Sequence, residues 1–326
     1  SGRLFLLGSN RQALTEIINL WERYSADPHV TLEHGLAKWK EVFQHLRNVR
    51  FWSLQDRIGE DIRQYWESRL ELGDEVIRFE IEAWCFASQD KNEQAVAEIR
   101  DLIAIADGQV LSRALISEIA YHALLVELPA NSVRQLLSDA PPGLALSERV
   151  MLFRPRGQAF AQPEEDDTRL PGFASPIRAV SGAPIAALLD GLPMQNHPLL
   201  TGRLVIDDPD AWEATYAASD RVHGTAMASL IIYGELDGPR TPLANPVYAR
   251  PIMRPDPADH RSPRDESTPS DVLLIDLVHR AVRRIFAGAG VPPEAPPTVK
   301  VINLSVCDLH RPFDAELSPW ARLLDR

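Results

Sequence analysis

An aspartate and a histidine, Asp190 and His223, stand 33 residues apart in a pattern that suits proton transfer. Asp190 ends a short apolar run at 185–189, and His223 opens a run of small and apolar residues at 224–236. A buried carboxylate bonded to an imidazole fixes the tautomer of the ring and stabilises the imidazolium that forms during proton transfer. The pair is therefore a candidate general base that needs a nucleophile.

The elements around this pair predict where the two side chains lie. The apolar run before Asp190 predicts a buried strand, and the run after His223 predicts a buried helix. Strands and helices alternate over residues 185–326, which is typical of an α/β domain with a parallel sheet. Such sheets place their sites at the carboxyl ends of the strands, where Asp190 stands. The other elements predicted in this region are strands at 246–253 and 299–306 and a helix that Ser270 and Asp271 cap and that Gly288 ends, with apolar residues over 274–285.

Two regions are predicted before this domain. Residues 1–72 carry apolar side chains at helical spacing and predict an N-terminal helical region. Residues 73–155 follow the order β-α-β-β-α-β, the ferredoxin-like or split βαβ arrangement of an α+β domain. Asn92 and Asn131 are the predicted helix caps within it.

Two segments are predicted to lack regular structure. Residues 156–184 are rich in proline, glycine and acidic side chains, and they predict a linker between the second and third regions. Residues 255–269 are rich in Pro, Asp, Arg and Ser, and they predict a mobile insertion.

The composition limits the classes of partner. The net charge of −12 argues against nucleic-acid binding, which requires a basic face. No run approaches the roughly 18 apolar residues of a membrane span, so no membrane partner is expected. Two cysteines argue against a disulfide framework and favour a cytoplasmic protein. We expect neither a cofactor nor a metal in the site.

Three short motifs resemble those of one enzyme family. Residues 187–191 (ALLDG), followed by His197 and a proline, resemble the aspartate motif of the subtilisin-like serine peptidases, the subtilases. Residues 223–229 (HGTAMAS) resemble their histidine motif. Residues 301–306 (VINLSV) resemble the strand whose edge binds substrate. The motifs occur in the family's order, and they cover about the first half of a subtilase catalytic domain.

The resemblance implies a role for each matching residue. Asp190 would orient the imidazole, and His223 would act as general base and then as general acid. The main chain of Ser305, Val306 and Cys307 would bind an extended protein or peptide substrate by strand addition. His197 is not expected to be catalytic. Residues 73–155 resemble the ferredoxin-like propeptide that chaperones and then inhibits the catalytic domain.

The sequence also departs from the family pattern. Gly191 follows Asp190 directly, without the usual Ser or Thr, and Cys307 replaces a usual Gly. The family's nucleophile lies in a Gly-Thr-Ser-Met-Ala motif, whereas the similar stretch here has Ala226 at the serine position. The family's oxyanion Asn is missing, and Asn303 is not its equivalent. We expect both residues to follow Arg326, and we expect this chain alone to be inactive.

Two functions remain open from the sequence. The first is a serine endopeptidase of the subtilase family, of which this chain is the N-terminal portion. The second is a non-catalytic regulatory or protein-binding module that retains a degenerate half of a protease. The presence of both Asp190 and His223 favours the first. The N-terminal helices would either gate the site or bind a protein partner.

Overall fold

The chain divides into two compact units, Ser1–Arg57 and Ile58–Arg326. Most of the predicted linker, at 162–178, lies outside the described residues. In the described ranges no helix is long and apolar enough to cross a membrane. The computed structural model describes residues 11–33, 35–161, 179–234, 241–287, 298–308 and 318–325.

The first unit is helical and has an aromatic core. It contains α1 (Arg11–Ala26), α2 (Trp39–Phe43) and α3 (Leu54–Arg57). Phe43 is buried, and the ring of Trp21 meets it edge-on with 5.5 Å between the ring centroids. The helical spacing of these side chains therefore serves packing within the unit.

The second unit begins with an antiparallel sheet. Its strands are β1 (Val76–Ala83), β2 (Gln109–Ile116), β3 (Tyr121–Pro129) and β4 (Val150–Pro155). They lie in the order β2-β3-β1-β4, so the first and third strands along the chain are central. Trp66 of α4 is fully buried and packs edge-on against Phe79 and Phe153 of the sheet. Helix α4, which the sequence groups with the N-terminal helices, thus packs on this sheet. The helices of this part of the chain are α4 (Glu60–Glu71), α5 (Gln89–Ile105), α6 (Ala130–Leu136) and α7 (Gly143–Leu146).

Both helix caps predicted in this region are wrong. Helix α5 begins three residues before Asn92, and the hydroxyl of Ser88 accepts from Lys91 N at its start. The amide of Asn92 is buried and bonds both the N–H and the carbonyl of Phe86, at 2.8 Å each. Helix α6 already includes Asn131, and Pro129 precedes its first residue. Asn92 therefore ties a loop to the helix instead of starting it.

A parallel sheet forms the centre of the remaining chain. Its strands are β6 (Ala186–Asp190), β7 (Leu204–Ile206), β8 (Val247–Pro251) and β11 (Val301–Asn303). They lie in the order β11-β6-β8-β7, and each neighbouring pair is parallel. Leu188 of β6 packs with α8 on one face, whereas Ala187 and Leu189 pack with α9 on the other. The coarse prediction of a mixed α/β protein with a parallel sheet is confirmed. The helices are α8 (His223–Tyr233), α9 (Leu274–Ala287) and α10 (Pro319–Leu324). Helix α9 begins at Leu274, so the predicted cap at Ser270 and Asp271 is wrong.

The two ends of the predicted mobile insertion, residues 255–269, belong to a small sheet. Strands β5 (Phe160–Ala161), β9 (Arg254–Pro255) and β10 (Glu266–Ser267) pair antiparallel in the order β5-β10-β9. Thr268 also donates its N–H to the carbonyl of Ala159 at 2.9 Å. Residues 266–268 are buried. Pairing with a distant part of the chain thus gives strand structure to the ends of a segment whose composition alone predicts a loop.

Candidate active site

Asp190 lies at the carboxyl end of β6, as predicted. Its side chain is fully buried. In the parallel sheet it stands beside Pro251, where β8 also ends. The carbonyl of Asp190 accepts from Ile252 N at 2.8 Å, which holds the carboxyl ends of β6 and β8 together. The end of the sheet thus holds the carboxylate in place.

His223 is the first residue of α8, and its ring contacts Asp190. Its Nδ1 lies 2.8 Å from Asp190 Oδ1. The hydrogen bond to Asp190 raises the pKa of His223, while burial opposes the rise. With Nδ1–H donating to the carboxylate, Nε2 is the atom that can accept a proton. The imidazole side chain is 18% exposed, so it faces solvent while the carboxylate behind it does not.

The environment of the carboxylate favours a positive charge on the ring. Asp190 Oδ1 also accepts from Gly191 N at 2.6 Å. Among the described residues, Asp190 Oδ2 is buried without a hydrogen-bond partner. A buried charge with incomplete hydrogen bonding is costly unless an opposite charge compensates it. An imidazolium at His223 would supply that charge during proton transfer.

Gly224 allows α8 to approach the turn at Gly191, the residue after Asp190. A Cβ atom at Gly224 would lie 2.7 Å from the carbonyl carbon of Gly191 and nearer still to its oxygen. Neither glycine has a positive φ, so space and not backbone conformation requires them. The Gly after His223 is thus needed to bring the imidazole to the carboxylate.

Glu266 of β10 is a site residue that the sequence analysis missed. Its Oε2 accepts from His223 N at 3.0 Å, and its Oε1 accepts from the hydroxyl of Tyr216. Glu266 is 3% exposed. Burial raises its pKa to about 8, the charge of Asp190 adds to the rise, and the N–H groups of His223 and Val222 oppose it. Glu266 lies in a segment whose composition predicts a loop, and it belongs to no sequence motif. The sequence therefore does not identify it as a site residue.

The predicted substrate-binding residues Ser305, Val306 and Cys307 follow β11, and Cys307 pairs with the chain's own main chain. The carbonyl of Cys307 accepts from Phe160 N at 3.0 Å in an isolated antiparallel bridge. Ser305 bonds the side chain of Asn303 at 3.1 Å, and Val306 lies between these two contacts. The predicted strand at 299–306 is shorter than expected, since its ladder ends at Asn303.

Phe160 connects this edge to the rest of the site. It pairs with Cys307 on one side and with Ser267 of β10 on the other. Glu266, the neighbour of Ser267, bonds the main chain of His223. The structure therefore joins Asp190 and His223 directly, and it links Cys307 to them through β5 and β10.

Three other histidines, His197, His122 and His279, are expected to have structural roles. His197 Nδ1 accepts from Leu199 N at 3.3 Å within a turn. His122 of β3 is buried, its Nδ1 lies 3.2 Å from the carbonyl of Trp84, and burial lowers its pKa. Burial also lowers the pKa of His279 on α9. The non-catalytic roles of these three residues stay predictions.

Compared with models of known protein families and with curated proteins, the chain gives no match. Its own geometry therefore carries the functional argument.

Proposed function

We propose that this chain carries the general base of a serine endopeptidase of the subtilase type. The observation that carries the proposal is the 2.8 Å contact between His223 Nδ1 and buried Asp190, at a strand end and a helix start. The nucleophilic serine and the oxyanion Asn are proposed to lie outside residues 1–326. On this proposal the 326-residue chain alone does not hydrolyse peptides.

The proposed mechanism assigns each proton to a named atom. His223 Nε2 removes the proton of the serine hydroxyl as its oxygen bonds the substrate carbonyl carbon. Asp190 stabilises the resulting imidazolium through Nδ1–H. His223 then gives the proton to the amine that leaves as the peptide bond breaks. Water, deprotonated by the same imidazole, releases the acyl group and restores the serine.

The antiparallel sheet supports a propeptide-like role for residues 73–155. The strand order β2-β3-β1-β4, with helix α5 between β1 and β2 and helices α6 and α7 between β3 and β4, agrees with a ferredoxin-like arrangement. One face of the sheet, including Tyr121 and Ala123, forms a core with Leu273 and Ile275 at the start of α9. Trp320 of α10 packs against this core as well. A domain docked in this way suits a chaperone and inhibitor of the parallel-sheet domain.

The segment at 158–161 supports binding of substrates in extended form. It lies between β10 and Cys307 and bonds the main chain of both. Main-chain pairing of this kind binds an extended peptide with little regard to its side chains. We propose that a protein substrate takes the same place once this segment leaves, and that the segment inhibits until then.

The alternative, a non-catalytic binding module, is less well supported. A decayed site has no need to keep a buried carboxylate against an imidazole, since burying that charge is costly. The fully buried Asp190 and its contact with His223 therefore favour catalysis.

A fluorophosphonate probe tests the proposal. It is applied to a form of the protein that continues beyond Arg326, with His223→Ala and His197→Asn as paired variants. We expect labelling of the unaltered protein and of His197→Asn, and loss of labelling in His223→Ala. Absence of labelling in every longer form, or labelling that His223→Ala leaves intact, would refute the peptidase.

A further inference from the structure

Helix α8 starts without a cap of its own. The first N–H groups of a helix need acceptors, usually from a Ser, Thr, Asp or Asn just before it. Val222 occupies that position and offers no side-chain acceptor, and the first turn contains no acidic residue. Glu266 supplies the acceptor from 43 residues along the chain, through its bonds to the N–H groups of His223 and Val222.

Glu266 is itself held on two sides. The hydroxyl of Tyr216 donates to its Oε1, and Arg221 donates to the carbonyl of Tyr216 at 2.9 Å. Its main chain lies in β10, which pairs with both β5 and β9. The carboxyl group of Glu266 is therefore held in place, and its hydrogen bonds hold the first N–H groups of α8 in place as well.

The space that Glu266 fills exists because residue 191 has no side chain. A Cβ atom at Gly191 would lie 2.9 Å from the carboxyl carbon of Glu266 and would overlap its Oε1. It would also lie 2.6 Å from the Tyr216 hydroxyl. Gly191 does not adopt a positive φ, so the glycine is required for room. The usual Ser or Thr of the resembling family could not coexist with Glu266 in this position.

We propose that Glu266 is a positioning residue for His223, and that Gly191 and Glu266 form a compensating pair. Glu266 fixes the main chain of His223 so that Nδ1 reaches Asp190, and Gly191 leaves the room for it. The catalytic meaning of this inference rests on the proposed peptidase function, whereas its structural content is measured on the 326-residue chain without turnover.

The protonation of Glu266 supports this role. With its pKa raised to about 8, the carboxyl group is largely neutral at pH 7. A neutral acid beside Asp190 avoids a second buried negative charge, which would compete for the imidazolium. Charge on the ring is thus balanced by Asp190, and Glu266 acts through its hydrogen bonds.

The first part of the test is the pKa of His223, followed by NMR of the labelled imidazole. Glu266→Ala removes the acceptor, so we expect the pKa of His223 to fall as its bond to Asp190 loosens. Glu266→Gln keeps an acceptor and should shift the pKa less. Asp265→Asn, which removes the neighbouring charge in the same segment, is the matched control and should leave it unchanged.

The second part is a mutant cycle on thermal unfolding. Gly191→Ala should lower the Tm, and Gly191→Ala combined with Glu266→Ala should unfold at a higher temperature than Gly191→Ala alone. If the single variant fails to fold and the double variant folds, the pair is supported too. Absence of rescue, or an unchanged His223 pKa in Glu266→Ala, overturns the proposal. Neither readout depends on fluorophosphonate labelling, so the two proposals fail separately.

Discussion

Asp190 raises the proton affinity of the His223 imidazole. The hydrogen bond from His223 Nδ1 to Asp190 raises the pKa of His223 against the opposing effect of burial. A raised pKa means that the protonated ring is stabilised in the folded state. The stability from this pair is fully present below the unfolded pKa, near 6.5, and is lost as the pH rises through the folded value.

Replacing Asp190 with Asn should therefore lower the pKa of His223, because the opposing effect of burial remains while the stabilising charge is lost. The amide keeps the shape of the carboxyl group but removes the negative charge that stabilises the imidazolium. NMR titration of the labelled ring measures the shift, and Asp208→Asn provides a control outside the pair. A His223 pKa that is the same or higher in Asp190→Asn would show that the hydrogen bond has no such effect.

The raised pKa of Glu266 predicts a second pH effect of the same sign, because this group too binds its proton more tightly in the folded state. Between about pH 4.5 and 8 the folded state keeps a proton that the unfolded state has lost, so stability falls as the pH rises. Asp190, His223 and Tyr216 face the carboxyl group and are retained in Glu266→Gln, which cannot titrate.

Wild-type protein should thus lose stability relative to Glu266→Gln as the pH rises from 5 to 8. The limiting slope is about 1.4 kcal/mol per pH unit. Urea unfolding at several pH values measures the difference in the free energy of unfolding. Parallel pH profiles for the two proteins would mean that Glu266 has an ordinary pKa.

At the scale of elements, a buried ionic cluster ties β8 to α9. Asp207 follows β7 and bonds Arg284 of α9 and the hydroxyl of Tyr248. Arg250 of β8 lies 3.7 Å from the same carboxylate. These charged groups are buried, so each depends on the others for compensation. Strand β8 in turn ends beside Asp190.

Removing Asp207 should destabilise the second unit strongly. Asp207→Ala leaves the charges of Arg284 and Arg250 buried without their main partner, at a cost of about 3–5 kcal/mol. Asp210→Ala is the matched control: it is partly exposed, lies 3.6 Å from Arg250, and should cost less than about 1 kcal/mol. Urea unfolding measures the free energy of unfolding of both variants. Similar decreases in Asp207→Ala and Asp210→Ala would show that the buried cluster does not depend on Asp207.

The bridge between Phe160 and Cys307 makes a prediction about inhibition. Phe160→Pro removes the N–H that donates to the Cys307 carbonyl, whereas Phe160→Ala retains it. In a form that carries the proposed serine, Phe160→Pro should raise peptide hydrolysis more than Phe160→Ala does. Initial rates on a short unstructured peptide measure this. Equal rates in the two variants would contradict inhibition through main-chain pairing.

At the scale of the whole molecule, the sequence predicts what depends on local pattern. The apolar run before Asp190 predicts β6 closely, because burial on both faces of the sheet leaves a continuous apolar signal. The small residues after His223 predict the position of α8, but the helix is buried on one side only, and Leu230 is 42% exposed. Residues 76–84 alternate between apolar and polar side chains, a pattern that likewise predicts β1.

Contacts between distant segments are harder to predict. Strands β5 and β10 have two residues each, too few for any periodicity. Glu266 meets His223 and Tyr216 only through the pairing of β10, so its role has no local signature. Helix α4 shows an apolar face, but the face does not specify that the partner is the sheet containing Phe79. Tertiary pairing decides each of these cases.

The rate of peptide hydrolysis tests the central claim most directly. A form of the protein that continues beyond Arg326 and carries the proposed serine is compared with the same form bearing His223→Ala. If Asp190 and His223 supply the general base, kcat/KM should fall about 10⁴-fold or more in the variant. Equal hydrolysis by both forms, or none by either once residues 158–161 are displaced, would contradict the claim.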